Sequence, residues 1–481
     1  MKVLYVTGES YPFVGVDENS YNSYSFPKEI SNFENIDIRV IMPKYPQISE
    51  EYTSKFKRIG SGVVNLVWRE QKFEIDLYEN KGIKYYFISN DYYYNREKIY
   101  QEIDDCERFA FFSKAVLEAI SIIKFFPDII QCNGIISSLI PIYLKKEKDK
   151  LGENKKGKLS KIKTIYTFNN LDNLGYANKK DLEDVFGLDF EKYSKDEELG
   201  FYDSILLLKA GVIYSDIVCV RNKIFSKELE KKEISGELAG FFKFYKKKII
   251  GIRDGVDKEI FDPKTDEKII GNYTYNTLEK RTLNKLALQE ELGLKIDSEI
   301  PIIIILGNLN YQNGMELIKL QFDAILEEIV EVIVVGDGEQ VYEDYFDYYS
   351  YLFPDKISTQ SIENNFDSLI RKIIASSDII LSPSKSEACR LIDLISMRYG
   401  VVPVGYSGSN SKDLITDEKG FLFNNYNDIF FMEKVKETLE QYKNNKVEWF
   451  KKVEKCMKTR CTLSQQVKEY IKVYESLKIN E

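Results

Sequence analysis

The sequence contains no histidine at all among its 481 residues. This absence excludes a histidine general base, a histidine metal ligand and the Ser–His or Cys–His couples of many hydrolases. The six cysteines include no Cys-x-x-Cys pair, so neither a zinc ribbon nor a thioredoxin-type motif is indicated. We therefore expect no bound metal and no cofactor.

Long apolar runs and excess positive charge are also missing. No stretch reaches the roughly 18–20 apolar residues that a membrane-spanning helix needs, and a charged residue, Glu9, follows the first apolar run. The formal net charge is −9, whereas nucleic-acid-binding proteins carry a basic footprint. We expect a cytoplasmic protein with reduced cysteines that binds neither nucleic acid nor membrane.

What the sequence does contain is a series of short apolar runs separated by longer segments of helical period. Most of these runs are continuous rather than alternating, which is typical of parallel strands buried on both faces. The runs are residues 3–6, 36–42, 85–88, 128–132, 164–168, 217–220, 249–252, 301–306, 332–335, 379–381 and 401–404. Their alternation with helices predicts an α/β fold made of doubly wound, Rossmann-like sheets.

These strands are too numerous for one such sheet. A lysine-rich run at 246–248 precedes the apolar run at 249, and we expect a domain boundary there, giving domains 1–247 and 248–481. The second domain would end in a charged helical tail from about residue 430. Two α/β domains of similar size would enclose a cleft in which ligands bind at the carboxyl ends of the strands.

Several segments, in the same order along the chain, resemble the bacterial glycogen synthases and plant starch synthases. They are residues 86–100, 104–118, 208–216, 255–257, 284–289 and 399–403. The resemblance implies the GT-B architecture, two Rossmann-like domains facing a cleft. Residues 1–247 would be the catalytic-type, acceptor-side domain and residues 248–481 the donor-side glycosyltransferase domain.

The resemblance also implies a chemistry. This family transfers glucose from ADP-glucose to the non-reducing end of an α-1,4-glucan with retention of configuration. The departing diphosphate and the oxocarbenium-like sugar require cations and a positioned carboxylate. An α-glucan and a nucleotide sugar are the partners that the resemblance suggests, and the sequence points to no protein partner.

In the first domain, the positions that would match the family's active site carry none of its positively charged or histidine side chains. The family's Lys-x-Gly-Gly loop is replaced by Gly15, Asp17 and Glu18, and a histidine-rich run is replaced at 131–136. Asn169 stands where the family has an active-site histidine; an amide can bond a sugar hydroxyl but carries no charge. Asn169 and Asp257 are our candidates for sugar or acceptor contacts.

In the second domain, residues 307–314 keep the frame of the family's Ser-Arg-Leu-x-x-Gln-Lys-Gly motif. Gln312 and Gly314 match, but the arginine has become Asn308 and the lysine Asn313. Those two cations are expected to hold the diphosphate, and an amide cannot replace a guanidinium fork. Asn308, Asn313 and Gly314 remain candidate donor-binding residues.

A second donor-side motif, at 383–393, matches the family's Pro-Ser-Arg-Phe-Glu-Pro-Cys-Gly. Glu387 matches the acid that faces the donor sugar and is the candidate catalytic residue, although an acid at a helix N-terminus is also stabilised by the dipole. Arg390 replaces a glycine; it either blocks the site by its bulk or supplies a substitute cation. Lys385, Arg390 and Asp393 complete the candidate donor-binding set.

Three hypotheses follow. A working glucan synthase explains the resemblance but not the loss of charge. A catalytically impaired or non-catalytic relative with a glucan-binding or assembly role explains why framework positions match and charged positions do not, and we favour it. A transferase for another donor, rebuilt around Arg390 and Lys385, is the third.

Overall fold

The computed structural model describes residues 1–15, 19–100, 102–150, 158–361, 366–385, 390–408 and 414–479. The chain divides into two compact units. Unit 1 comprises Met1–Asp254 together with Leu463–Glu481, and unit 2 comprises Gly255–Thr462.

The described part of unit 1 is built on a nine-stranded sheet of order β12-β11-β7-β6-β1-β2-β5-β4-β3. The sheet is parallel except that β4 pairs antiparallel with both β3 and β5. A small antiparallel sheet has the order β8-β10-β9. The strands are β1 (Lys2–Val6), β2 (Asp37–Pro43), β3 (Lys57–Leu66), β4 (Arg69–Asn80), β5 (Ile83–Ser89), β6 (Ile129–Asn133), β7 (Lys163–Phe168), β8 (Tyr176–Asn178), β9 (Gly200–Phe201), β10 (Ser204–Leu206), β11 (Ile217–Val220) and β12 (Ile249–Gly251).

Helices cover the sheet of unit 1, as the continuous apolar strands require. They are α1 (Asn19–Ile30), α2 (Glu50–Thr53), α3 (Asp91–Tyr94), α4 (Asp105–Ile122), α5 (Ile140–Lys150), α6 (Phe190–Tyr193), α7 (Leu207–Tyr214), α8 (Lys223–Glu228), α9 (Lys232–Ser235) and α10 (Ala239–Tyr245). Helix α4 buries most of its apolar side chains, among them Phe109, Phe112, Val116 and Ile120.

Unit 2 contains, in its described residues, a six-stranded parallel sheet of order β15-β14-β13-β16-β17-β18. Its strands are β13 (Ile302–Leu306), β14 (Glu331–Val335), β15 (Ile357–Gln360), β16 (Ile379–Ser382), β17 (Val402–Tyr406) and β18 (Phe421–Phe423). Its helices are α11 (Arg281–Leu292), α12 (Met315–Glu327), α13 (Gln340–Leu352), α14 (Phe366–Ser376), α15 (Leu391–Arg398), α16 (Asp428–Asn444) and α17 (Lys446–Met457). The predicted α/β class with doubly wound, Rossmann-like sheets is confirmed.

The two compact units are divided at 254/255 and 462/463, whereas the sequence led us to expect one boundary at 247/248. Strand β12 bonds in register to β11 and so completes the sheet of unit 1. The final helix, α18 (Leu463–Ile479), also belongs to unit 1. Its Tyr470 ring lies 4.7 Å from the Phe26 ring of α1, and its Tyr474 hydroxyl donates to Gln131 Oε1. Aromatic burial therefore ties this tail to the first sheet.

In each unit the parallel strands end at one edge of the sheet, which is where ligands bind in such folds. In unit 2 this edge carries residues 307–314 after β13 and residues 383–385 after β16. Among the helices that the structure describes, none is both long and apolar enough to cross a bilayer.

Candidate functional site

The segment 307–314, here called the donor loop, leaves the end of β13 and enters α12. Its polar side chains bond mainly to the loop itself. Asn313 Nδ2 donates to the Asn308 carbonyl oxygen over 2.8 Å, and the Asn313 backbone N–H donates to Asn310 Oδ1 over 2.8 Å. The side-chain amide of Asn313 and the backbone carbonyl of Asn308 thus close the loop, at the two positions where the resemblance led us to expect cations.

Asn313 is nearly buried, with 5% of its surface exposed. Because its Nδ2 is committed to the Asn308 carbonyl, its Oδ1 points elsewhere, and this oxygen has no hydrogen-bond partner among the described residues. A buried carbonyl oxygen accepts hydrogen bonds and repels phosphate oxygens. Asn308 itself is exposed and neutral.

Gly314 ends the donor loop in the left-handed region, at φ +80°. A Cβ atom there would lie 2.7 Å from the Pro383 carbonyl oxygen, closer than real Cβ contacts allow. Glycine is therefore required by both backbone conformation and space. The Ser384 hydroxyl and the Lys385 N–H both donate to the Gln312 carbonyl, at 3.2 and 3.4 Å, so the two donor-side segments meet here.

Arg390 lies beneath the donor loop rather than on its surface, with only 7% exposed. Its Nη1 donates to the Leu306 carbonyl oxygen over 2.8 Å, and its Nη2 donates to Asp393 Oδ1 over 3.2 Å. A Cβ atom on Gly307 would come within 2.6 Å of Nη1, so the guanidinium fills the space under that glycine. The side chain carries charge, but the charge faces a strand end and a carboxylate.

Asp393 is fully buried and serves as the partner of Arg390. Its Oδ2 accepts the Arg390 backbone N–H at 2.8 Å, as in a helix capping box, and the Ser382 hydroxyl at 3.1 Å. The two candidates thus form one buried ion pair at the start of α15.

Lys385 is the remaining cationic candidate. Its Nζ lies 5.6 Å from the centroid of the Tyr426 ring, within the range of a cation–π contact. Glu387, the candidate catalytic carboxylate, lies outside the described residues. The same holds for Asp17 and Glu18 in the first family loop.

Carboxylates lie close to the donor loop. Glu339 Oε1 accepts the Tyr311 backbone N–H at 3.2 Å, and Glu316 Oε2 accepts the Tyr342 hydroxyl at 3.2 Å. Burial raises the pKa of Tyr342 to about 12, and the Glu316 carboxylate adds to the shift. These acids give the neighbourhood of the loop a negative bias.

The carboxyl edge of the sheet in unit 1 holds the other candidate. Asn169 follows β7, and its Nδ2 donates to Asn19 Oδ1 over 2.6 Å. On the adjacent strand, Gln131 is buried and donates through Nε2 to Asn133 Oδ1 at 3.2 Å. The side chains that we expect in place of the family's histidines are therefore neutral amides, bonded to other amides and, for Gln131, also to the Tyr474 hydroxyl.

Asp257, in unit 2, is buried within a turn. Its Oδ1 accepts the Glu259 backbone N–H at 2.9 Å and its carbonyl accepts the Phe261 N–H at 2.8 Å. The structure thus brings Asn308, Asn313, Gly314, Lys385, Arg390 and Asp393 together at one strand edge of unit 2. These bonds hold Asp257 in a turn outside the donor loop.

Sequence reasoning missed two residues that shape the donor loop. Asn310 caps Asn313 through its side chain, and Glu339 holds the loop through Tyr311. The Asn-x-x-Asn spacing is typical of a side-chain cap and is visible in the sequence. Glu339 is 28 residues from Tyr311, and no local pattern joins them.

Comparison with known proteins places this geometry in a family. The starch synthase catalytic domain model matches residues 2–244, and the glycosyl transferases group 1 model matches residues 289–455. The chain is 36% identical to glycogen synthase of Clostridioides difficile (strain 630), over 99% of this chain and 100% of that protein. It is 37% identical to glycogen synthase of Caldicellulosiruptor bescii, over 99% of both.

Solved structures show the same fold. The catalytic domain of starch synthase IV from Arabidopsis thaliana, bound to ADP and acarbose, superposes with a TM-score of 0.87 at 23% identity, covering 99% of both chains. Sucrose-phosphate synthase from Thermosynechococcus elongatus gives a TM-score of 0.62 at 10% identity, covering 100% of both. The chain belongs to the glycogen and starch synthase family of GT-B glycosyltransferases.

Proposed function

We propose that this protein is a catalytically impaired or non-catalytic member of its family that has kept a glucan-binding or assembly role. The observation that carries the proposal is the chemistry of the donor loop. Asn308 and Asn313 stand at the two positions of the cations in the family motif, and Asn313 is committed to a bond within the loop.

The transfer reaction needs those cations because they stabilise the negative charge of the leaving diphosphate. As the glycosidic bond to the donor breaks, negative charge grows on the leaving diphosphate and positive charge on the sugar ring. Removing one preorganised charge-stabilising donor costs about 10²–10³ in rate. Loss of both loop cations would therefore reduce turnover severely, although such losses do not simply add.

The neighbouring arginine offers little compensation. Arg390 bonds to Asp393 and to the Leu306 carbonyl while only 7% exposed. Turning it toward a ligand would leave the fully buried Asp393 without its charged partner, at a cost of several kcal/mol. The carboxylates of Glu316 and Glu339 near the loop add repulsion for a diphosphate.

A second candidate function is an active glucosyltransferase that moves glucose from ADP-glucose, or another nucleotide sugar, to an α-1,4-glucan with retention. It is favoured by the full-length identity to proteins named glycogen synthase. In that case Glu387 would face the donor sugar and Lys385 would supply the remaining cation.

Calorimetry with ADP-glucose and UDP-glucose separates the two candidates. We expect dissociation constants weaker than about 1 mM for both, and no transfer of glucose to glycogen or maltohexaose. A micromolar dissociation constant, or turnover in the ordinary enzyme range of roughly 1 s⁻¹ or more, would overturn the proposal.

A gain-of-charge variant sharpens this test. Asn308 is exposed, so Asn308→Arg adds a guanidinium without disturbing the interior. One charge-assisted bond to phosphate should tighten ADP-glucose binding about tenfold or more. Asn308→Gln, which is longer but neutral, is the matched control and should change nothing. An arginine variant that binds no better than the glutamine variant would count against the charge argument.

A further inference from the structure

Unit 1 holds a cavity of ≈ 520 Å³ that shares no lining residue with the sites described above. Its volume lies within the roughly 300–1,000 Å³ of small-molecule sites. Five aromatic side chains line it, one from the end of β9, one from the turn that joins β9 to β10 and three from α10. We call it the aromatic cavity, and these five residues are Phe201, Tyr202, Phe241, Phe244 and Tyr245.

The outer rings of the aromatic cavity are exposed although neighbouring rings hold them. Tyr202 is 67% exposed and Phe244 is 78% exposed. Their centroids lie 4.9 Å from those of Phe201 and Tyr245, respectively. Tyr202 also has a φ of +52°, a conformation that is uncommon for a residue with a side chain. Because both rings are exposed, packing in the hydrophobic core does not explain why Tyr202 and Phe244 are aromatic.

The polar groups of the aromatic cavity exclude most kinds of ligand. Asp196, Glu197 and Glu237 line it, and their carboxylates disfavour phosphates and other anions. Lys209 also lines it, and its Nζ donates to the carbonyl oxygens of Asp196 and Gly200 at 2.5 and 2.7 Å. Burial lowers the pKa of Lys209 to about 8, so at neutral pH the group is still mostly an ammonium, which disfavours cations. A neutral ligand with many hydroxyl groups fits both conditions.

We infer that the aromatic cavity is an auxiliary binding site for an α-1,4-glucan chain. The apolar C–H face of a glucosyl ring would stack on Tyr202 and Phe244, and sugar hydroxyls would donate to Asp196 and Glu197. Aromatic rings give such contacts a large apolar area at low conformational cost. The inference rests on the proposed function only in taking the ligand to be the family's glucan.

Glycogen affinity electrophoresis of the full chain tests this inference. We expect the double variant Tyr202→Ala/Phe244→Ala to bind glycogen at least tenfold more weakly than the parent. Both side chains are exposed, and thermal unfolding should remain unchanged. Tyr351→Ala is the matched control because Tyr351 is 83% exposed on α13 of unit 2, and its removal should leave glycogen binding intact.

Competition defines the ligand class. Maltohexaose should displace the parent protein from glycogen, whereas cellohexaose, with its flatter β-1,4 chain, should not. A double variant whose glycogen affinity stays within twofold of the parent, or equal competition by both sugars, would overturn the inference. Calorimetry with ADP-glucose reports on the donor loop alone, so failure of the proposed function and failure of this site remain distinguishable.

Discussion

The buried pair of Arg390 and Asp393 allows one prediction to be worked out in detail. Arg390→Met keeps part of the side-chain volume but removes the guanidinium that bonds to Asp393 and to the Leu306 carbonyl. Breaking one side of a buried ion pair costs about 3–5 kcal/mol. Because the Arg390 N–H and the Ser382 hydroxyl still hold Asp393 Oδ2 in the variant, we expect the lower end, about 3 kcal/mol.

Urea unfolding measures this loss of stability in unit 2. The chain has two tryptophans, and Trp449 lies buried in α17, whereas Trp68 is exposed in unit 1. In a Trp68→Phe background, the fluorescence of Trp449 reports on unit 2 alone. Lys372→Met is the control, since Lys372 bonds to Glu291 at similar distances, 2.8 and 2.9 Å, but on the surface. Its loss should cost about 1 kcal/mol or less.

The outcome separates the two interpretations of Arg390. If Arg390 instead serves as a substitute cation for a nucleotide, Arg390→Met should leave stability within about 0.5 kcal/mol of the parent and should remove nucleotide-sugar binding. That combination would refute the structural role derived from its burial and its bonds.

Two further predictions concern unit 2. Gly314→Ala should destabilise it by about 2 kcal/mol or more, because the left-handed backbone strains an alanine and its Cβ would collide with Pro383. Gly293→Ala is the control: it has a φ of +72° but open space around it, so it should lose less stability. Equal losses of stability in thermal unfolding would contradict the collision with Pro383. Burial raises the pKa of Glu331 to about 7 from an ordinary 4.5, so the native state holds the proton more tightly and stability falls as pH rises from about 4.5 to 7. Glu331→Gln has no group that titrates there, so its free energy of unfolding relative to the parent should increase by about 2 kcal/mol from pH 5 to pH 8. A difference between variant and parent that does not change with pH would contradict the raised pKa of Glu331.

The sequence predicted buried parallel strands well and exposed antiparallel strands poorly. Ile302–Leu306 is a continuous apolar run that only a strand covered on both faces explains, and it forms β13. Lys57–Leu66 is the edge strand and Arg69–Asn80 lies next to it, and both are rich in polar residues because several of their side chains are exposed. A search for continuous apolar runs cannot find such strands, since their signal is a weak alternation.

For the candidate site, the sequence shows that the expected cations of the donor loop are missing, but it does not show what the remaining cation, Arg390, binds. The spacing of Arg390 and Asp393 permits a local pair on a helix. The bond from Arg390 to Leu306 joins residues 84 apart, and only the meeting of two strand ends creates it. Likewise, the sequence shows that Asn313 is neutral, whereas its burial and its bond to the Asn308 carbonyl depend on the folded loop.

The return of α18 to unit 1 has a consequence for how the chain is made. Unit 2, residues 255–462, lies between the two parts of unit 1 in the chain. At about 5–20 residues per second, the ribosome needs roughly 10–40 s to add unit 2 before α18 emerges. Throughout that delay the nascent first sheet lacks Tyr470 and Tyr474, and the surface that they bury next to Phe26 and Gln131 is open to chaperones or to aggregation.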